Sequence, residues 1–135
     1  MNDPDAAAGM ENTEETERIF SAAELRENFL GNMSLVRSIL IRFIKRTEDQ
    51  LAETPALVEK GDWDTAVRET HTLKGSARNL RAMDLGDAAM RWEEACRQKD
   101  AAAVRLRHGD TVEAFARFKI AAEGFISRRE EDEEK

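Results

Sequence analysis

The chain has a single cysteine, Cys96, in 135 residues, so no intramolecular disulfide can brace it. No apolar run approaches the roughly 18 residues a membrane-spanning helix needs, and residues 1–20 lack a signal-peptide pattern. A soluble, cytoplasmic protein is expected. No glycine-rich nucleotide loop, Walker pattern or paired metal-ligand spacing is present, so ATP-dependent chemistry and a resident metal are not expected. A basic surface is missing as well. The formal net charge is −7, which argues against nonspecific nucleic-acid binding, because such binding depends on neutralising phosphates. Only two prolines and seven glycines interrupt the chain and 41% of its residues are apolar, which fits one domain with one core. Neither a strand pattern nor an internal repeat is found.

What remains reads as helix throughout. Ser21-Ala22-Ala23-Glu24 is a capping box that opens a short helix ending near Gly31. A long helix follows from about Met33, with Leu35, Val36, Ile39, Leu40, Phe43, Ile44 and Leu51 as its apolar stripe. Thr54-Pro55 is expected to break or kink it, leaving a short continuation to Lys60. Gly61 suits the left-handed position after a helix and Asp62 the N-cap of the next, which runs from about Asp62 to Asn79. A further helix spans roughly Ala82 to Lys99 and carries Leu85, Ala88, Ala89, Trp92 and Cys96. The last begins after Asp100, with a break and restart expected at Gly109-Asp110 and with Val112, Phe115, Phe118 and Phe125 closing the core. Helices of this number joined by short connections predict an all-α antiparallel four-helix bundle with a short N-terminal helix across it. The acidic stretch 1–19 and the charged stretch 128–135 read as solvated tails around a domain at 20–127.

The densest chemistry lies in His71-Thr72-Leu73-Lys74-Gly75-Ser76. On a helix these offsets place His71, Lys74, Gly75 and Arg78 on one face. Trp63, Ala66, Val67, Thr70, Leu73, Ala77 and Leu80 form the apolar stripe of the same helix. With 3.6 residues per turn, His71, Lys74 and Arg78 centre roughly 110° away from that stripe, so the histidine faces outward. An imidazole can carry a phosphoryl group and an ammonium can hold its oxygens. An interior helical glycine costs about 1 kcal/mol relative to alanine, and close approach of a partner is the gain that would offset it. Arg68, Lys74, Arg78 and Arg81 give this helix a local positive field, suited to attracting an acidic partner pocket.

The run from Glu69 to Leu80 resembles the signature of histidine-containing phosphotransfer (HPt) domains of two-component phosphorelays. The similarity extends from about Phe20 to Phe125 and includes Phe43, Gly61-Asp62-Trp63 and Trp92-Glu93. The resemblance implies that His71 is the phosphoacceptor, Lys74 steadies the phosphoryl oxygens and Gly75 admits the partner's active site. Arg68, Thr72 and Arg78 are candidates for the rim that meets the partner. It further implies a shuttle without kinase activity of its own, which accepts a phosphoryl group from the phospho-aspartate of a response-regulator receiver domain and passes it to another. A hybrid sensor histidine kinase would stand upstream. No cofactor is expected on this chain, and magnesium is expected on the receiver. Relatives commonly carry glycine where Arg81 stands, so the loop after this helix departs from the pattern.

Two other readings share these residues. One is a phosphorylation-independent helical adaptor that occupies a receiver or a kinase; phosphate uptake by His71 separates the two. The other is a piece of a larger hybrid or chemotaxis-type kinase, against which the leader from Met1 and the charged finish at Lys135 favour a free-standing protein; a monomer is expected from the resemblance, with no dimerisation seam sustained over several heptads. Cys96 reads as a core or boundary residue rather than a reactive thiol. His108 has no partner at metal-ligand spacing and reads as a surface histidine. Trp63 and Trp92 read as core.

Overall fold

The computed structural model describes the backbone of residues 13–134 and the side chains of residues 14–128. Its six helices are α1 (Thr13–Ile19), α2 (Ala22–Asn28), α3 (Met33–Glu59), α4 (Trp63–Asn79), α5 (Met83–Arg97) and α6 (Ala101–Glu134). The expected N-terminal tail needs correction over its last seven residues, which form α1; residues 1–12 lie outside the described residues. Arg18 is the cause. It reaches across to α5, with Nε 2.9 Å from Asp84 Oδ1 and Nη2 on Asp87 Oδ2, and so docks α1 on the bundle. At the other end the backbone stays helical to Glu134 rather than fraying at residue 128.

Helices α3 to α6 are the four long members of the bundle, and each reverses into the next through about three residues. The turns follow from capping. Ser21 Oγ accepts from Glu24 N, Asn32 Oδ1 from Leu35 N, Asp62 Oδ1 from Thr65 N, and Asp100 Oδ1 from Ala103 N. Gly61 takes φ +76° after α3, and Asp62 N closes back onto Leu57 O. After α4 the same turn is made without glycine: Arg81 has φ +60°, its N–H meets Arg78 O, and Ala82 N closes onto Ala77 O. The loop geometry is therefore kept despite the missing glycine, with a side chain in a region that disfavours one.

The core runs the length of the bundle. Leu25, Val36, Leu40, Leu73, Leu85, Trp92 and Phe118 are almost wholly buried. Phe20, between α1 and α2, packs its ring 5.9 Å from Phe118 and 5.4 Å from Phe125, and Phe43 meets Phe118 at 5.3 Å. Cys96 is buried, and burial raises its thiol to about 11, with the Glu93 charge adding to the effect. Two stripe assignments need correction, since Leu35 and Val112 are exposed. The buried face of α6 passes through Thr111, Ala114, Phe115, Phe118 and Ala122, which leaves Val112 one position off the stripe.

Neither expected helix break occurs. Gly109-Asp110 stays within α6, and Pro55 lies inside an uninterrupted α3. Proline lacks the N–H that Leu51 O, four residues earlier, would have received. His108 Nε2 supplies it from α6 at 2.8 Å. A carbonyl only accepts, so Nε2 carries the proton. The His108 ring, half-buried, packs on Trp92 at 5.1 Å between centroids. His108 is thus a bracket between α3 and α6, not a surface histidine.

His108→Ala should cost about 1–2 kcal/mol, because it orphans the Leu51 carbonyl. Pro55→Ala restores the missing N–H, so the His108→Ala cost should shrink by at least half in that background, as read from a double-mutant cycle in urea unfolding. Arg81→Gly should stabilise the fold by about 0.5–1 kcal/mol through relief of the left-handed conformation, as read by the same unfolding measurement.

Candidate functional site

The site is assembled by two neighbouring helices around one acid. On α4, His71 and Lys74 stand one turn apart; on α5, Glu93 points back at them. Glu93 is only 4% exposed, whereas the His71 side chain is 61% exposed. Lys74 Nζ lies 2.7 Å from Glu93 Oε1. The other oxygen, Oε2, faces His71 Nδ1 at 3.1 Å and takes Arg97 Nε at 3.0 Å and Nη2 at 2.7 Å. Burial pushes the Glu93 carboxyl up, but the contacts from Lys74, Arg97 and His71 outweigh it and hold the group at about 2.

This geometry fixes the histidine tautomer. An ionised carboxylate has no proton to give, so the hydrogen bond must run from Nδ1–H to Oε2. In the neutral imidazole the lone pair then belongs to Nε2, on the side of the ring away from Glu93. The arrangement presents a single oriented nitrogen nucleophile at the protein surface, with an ammonium one turn along the same helix.

The other residues singled out in the sequence fall on both sides of that pair. Gly75 is exposed, and a Cβ there would meet nothing within 4 Å. The protein's own packing does not require a glycine at this position. Thr72 Oγ1 donates to Arg68 O within its own helix at 2.9 Å, and Arg68 is exposed. Arg78 lies along α5: its Nη2 is 3.7 Å from Asp87 Oδ1 and 3.4 Å from Met90 Sδ, and a Cβ on Gly86 would come within 2.9 Å of its Cγ. The expected open positive field is corrected accordingly. Lys74, Arg78 and Arg81 are answered by Glu93, Asp87 and Glu24, the last at 3.7 Å.

Comparison with protein families decides what this arrangement belongs to. A model of the Hpt domain matches residues 38–121, from the second turn of α3 to well into α6. The chain belongs to the Hpt domain family. Hpt domains serve histidine phosphotransfer in two-component phosphorelays, and they do so as phosphocarriers that interact with receiver domains and kinases. Comparison with curated proteins and with solved structures gave no match. Among the described residues no helix is long and apolar enough to cross a membrane, and no cluster of candidate metal ligands occurs.

Three residues of this candidate site have no role assigned from sequence. Glu93 had a visible signal: it falls on the apolar stripe of α5, between Ala89 and Cys96, where an acid must find cations. Arg97, one turn further on, is the matching cation. Gly86 carried no such signal, because what it accommodates is the stem of Arg78 from another helix.

The Glu93 contacts predict an acid-side loss of stability. Since the folded-state value lies below the ordinary 4.5, the contribution is complete above about pH 5 and disappears as pH falls toward 2. Its size is on the order of 3 kcal/mol. Urea unfolding across this range should give a steeper loss for the native protein than for Glu93→Gln, and parallel curves would contradict the assignment.

Proposed function

We propose that this chain is a His-Asp phosphorelay shuttle in which His71 accepts a phosphoryl group from the phospho-aspartate of a receiver domain and returns it to the aspartate of another. The observation that carries this reading is the Glu93 contact, which turns Nε2 of an exposed imidazole outward as the nucleophile. Nε2 attacks phosphorus in line and the bond from phosphorus to the acyl oxygen breaks. The receiver's aspartate leaves as a carboxylate, while Nδ1 keeps its proton. The ring gains positive charge in this step, and the Glu93 carboxylate stabilises it there. No outside acid or base is needed, which suits a reaction that must run both ways.

Lys74 is proposed to hold the phosphoryl oxygens, and Gly75 to leave room for the receiver's active site. Thr72, Gly75, Ser76 and Asn79 run along the flank of α4 away from α5, toward a groove of about 340 Å³ lined by Phe29, Ile39, Phe43 and Leu80 with Arg42 and Arg46 at its edge. A receiver that straddles α4 and α3 would place apolar surface in this groove and acidic groups against the two exposed arginines. Arg68 and Thr72 remain proposed rim contacts; Arg78 is engaged with α5 and is proposed to act mainly by positioning that helix. On this reading the protein works in the cytoplasm as a monomer, downstream of a hybrid sensor kinase, has no ATP-dependent kinase activity, and binds no cofactor. The magnesium belongs to the receiver.

Transfer of label from a panel of phosphorylated receiver domains tests the reading. The native chain should take up label that is acid-labile and alkali-stable, and His71→Gln none. Binding to a receiver without any labelling would replace the shuttle by the phosphorylation-independent adaptor. Gly75→Gln adds a sharper test: it should raise fold stability by about 0.5–1 kcal/mol, since helical glycine is unfavourable, yet slow transfer at least tenfold by blocking approach.

A further inference from the structure

Resting on that reading, the two oxygens of Glu93 are divided in a way that assigns a role to Arg97. Oε1 is held by Lys74, whereas Oε2 is shared by His71 Nδ1 and the two Arg97 donors. A phosphoryl group on Nε2 forms on the far side of the ring from Glu93. If Lys74 follows the phosphoryl oxygens, its ammonium leaves Oε1 behind. With Lys74 as its only cation, Glu93 would become a buried carboxylate without a counter-charge, and its most direct relief would be to take the proton of His71 Nδ1. That would reverse the hydrogen bond, with Glu93 donating to Nδ1, and would remove the carboxylate charge that stabilises a positively charged ring.

We propose that Arg97 is a positioning residue which keeps Glu93 ionised and bonded to His71 Nδ1 while Lys74 transfers to the phosphoryl group. The fit is specific to its chemistry. Arginine is charged at every working pH and offers several donors in a fixed fork, here two to one oxygen. Lysine has a single flexible ammonium, suited to changing partners. Arg97 itself is half exposed, and its charge is solvated on one side while Glu93 occupies the other. It touches neither Nε2 nor the path of a partner along Gly75, so its effect on transfer passes through the carboxylate.

The test uses the full chain and phosphoramidate as a small phosphoryl donor, which makes it independent of any receiver. His71 Nε2 attacks phosphorus and the P–N bond breaks. The leaving nitrogen, already protonated in the zwitterionic donor, departs as ammonia. Nitrogen-15 NMR follows Lys74 Nζ and both His71 ring nitrogens before and after phosphorylation, alongside the rate of phosphorylation, for the native chain, Arg97→Leu and Arg97→Lys. In the native protein the Lys74 signal should move on phosphorylation while Nδ1 stays protonated. Arg97→Leu should phosphorylate about tenfold more slowly, with Lys74 unmoved or Nδ1 deprotonated in the product, and Arg97→Lys should recover most of the rate. Native behaviour of Arg97→Leu in both rate and spectra overturns the proposal, as does a Lys74 signal that stays fixed in the native chain or a native chain that phosphoramidate does not modify. Failure of the receiver panel, with the spectra as expected, removes the relay reading and leaves the Arg97 assignment standing.

Discussion

A carboxylate taken out of water must have its charge answered nearby, and Glu93 is answered by three side chains from two helices. Desolvating the acid makes each of these contacts stronger than the same pair would be at the surface. Three consequences follow from the one interaction. It ties α4 to α5 at the height of His71, it holds Lys74 near that histidine, and it decides which ring nitrogen carries the proton. A surface acid in the same register would leave the imidazole free to rotate and to exchange tautomers, and the exposed histidine would lose its direction.

The contact requires α4 and α5 to lie close and in fixed register, and other residues meet that requirement. Gly86 lets the stem of Arg78 lie flat on α5, and the Arg78 guanidinium then reaches Asp87 and Met90. Asp87 is also one of the two acids that hold Arg18, so α1 is fastened to the same side of α5. On the opposite side of the bundle His108 and Pro55 form an independent bracket. The donor that α3 lacks is supplied by α6, and the His108 ring that supplies it lies on Trp92, the residue next to Glu93 in sequence. The helix that carries His71 therefore rests on an α5 that is fixed from both faces.

Most of the fold could be read from periodicity and caps. The apolar stripes of α3, α4 and α5, the caps at Ser21 and Asp62 and the left-handed Gly61 are all local signals, and local rules suffice for them. The misreadings at Pro55 and in the α1 stretch concern contacts between distant segments. Pro55 predicts a kink only while no donor is available for Leu51 O, and that donor is 57 residues away. The α1 stretch reads as a tail because its acids are abundant, whereas the decisive residue is the one base, Arg18, whose partners are on α5. The same holds for the site. His71, Lys74 and Gly75 form a local pattern on one helix, but the group that organises them approaches from another helix. An acid on an apolar stripe is the trace such a group leaves in sequence, although only the packing identifies the bases that answer it.

Two glycines in adjacent helices make the division between scaffold and site concrete. At Gly86 a Cβ would strike Arg78 Cγ at 2.9 Å, so the missing side chain is explained by a neighbour within the protein. At Gly75 a Cβ would meet nothing within 4 Å, and no internal contact offsets the cost of an exposed helical glycine one turn after His71. Structural demand therefore accounts for the first glycine and not for the second. Gly109 in α6 has open space as well, so it is the place of Gly75 beside His71 that ties it to the proposed docking of a partner. On the proposed relay reading, that partner would approach between the Glu93 side of α4 and the groove toward α3.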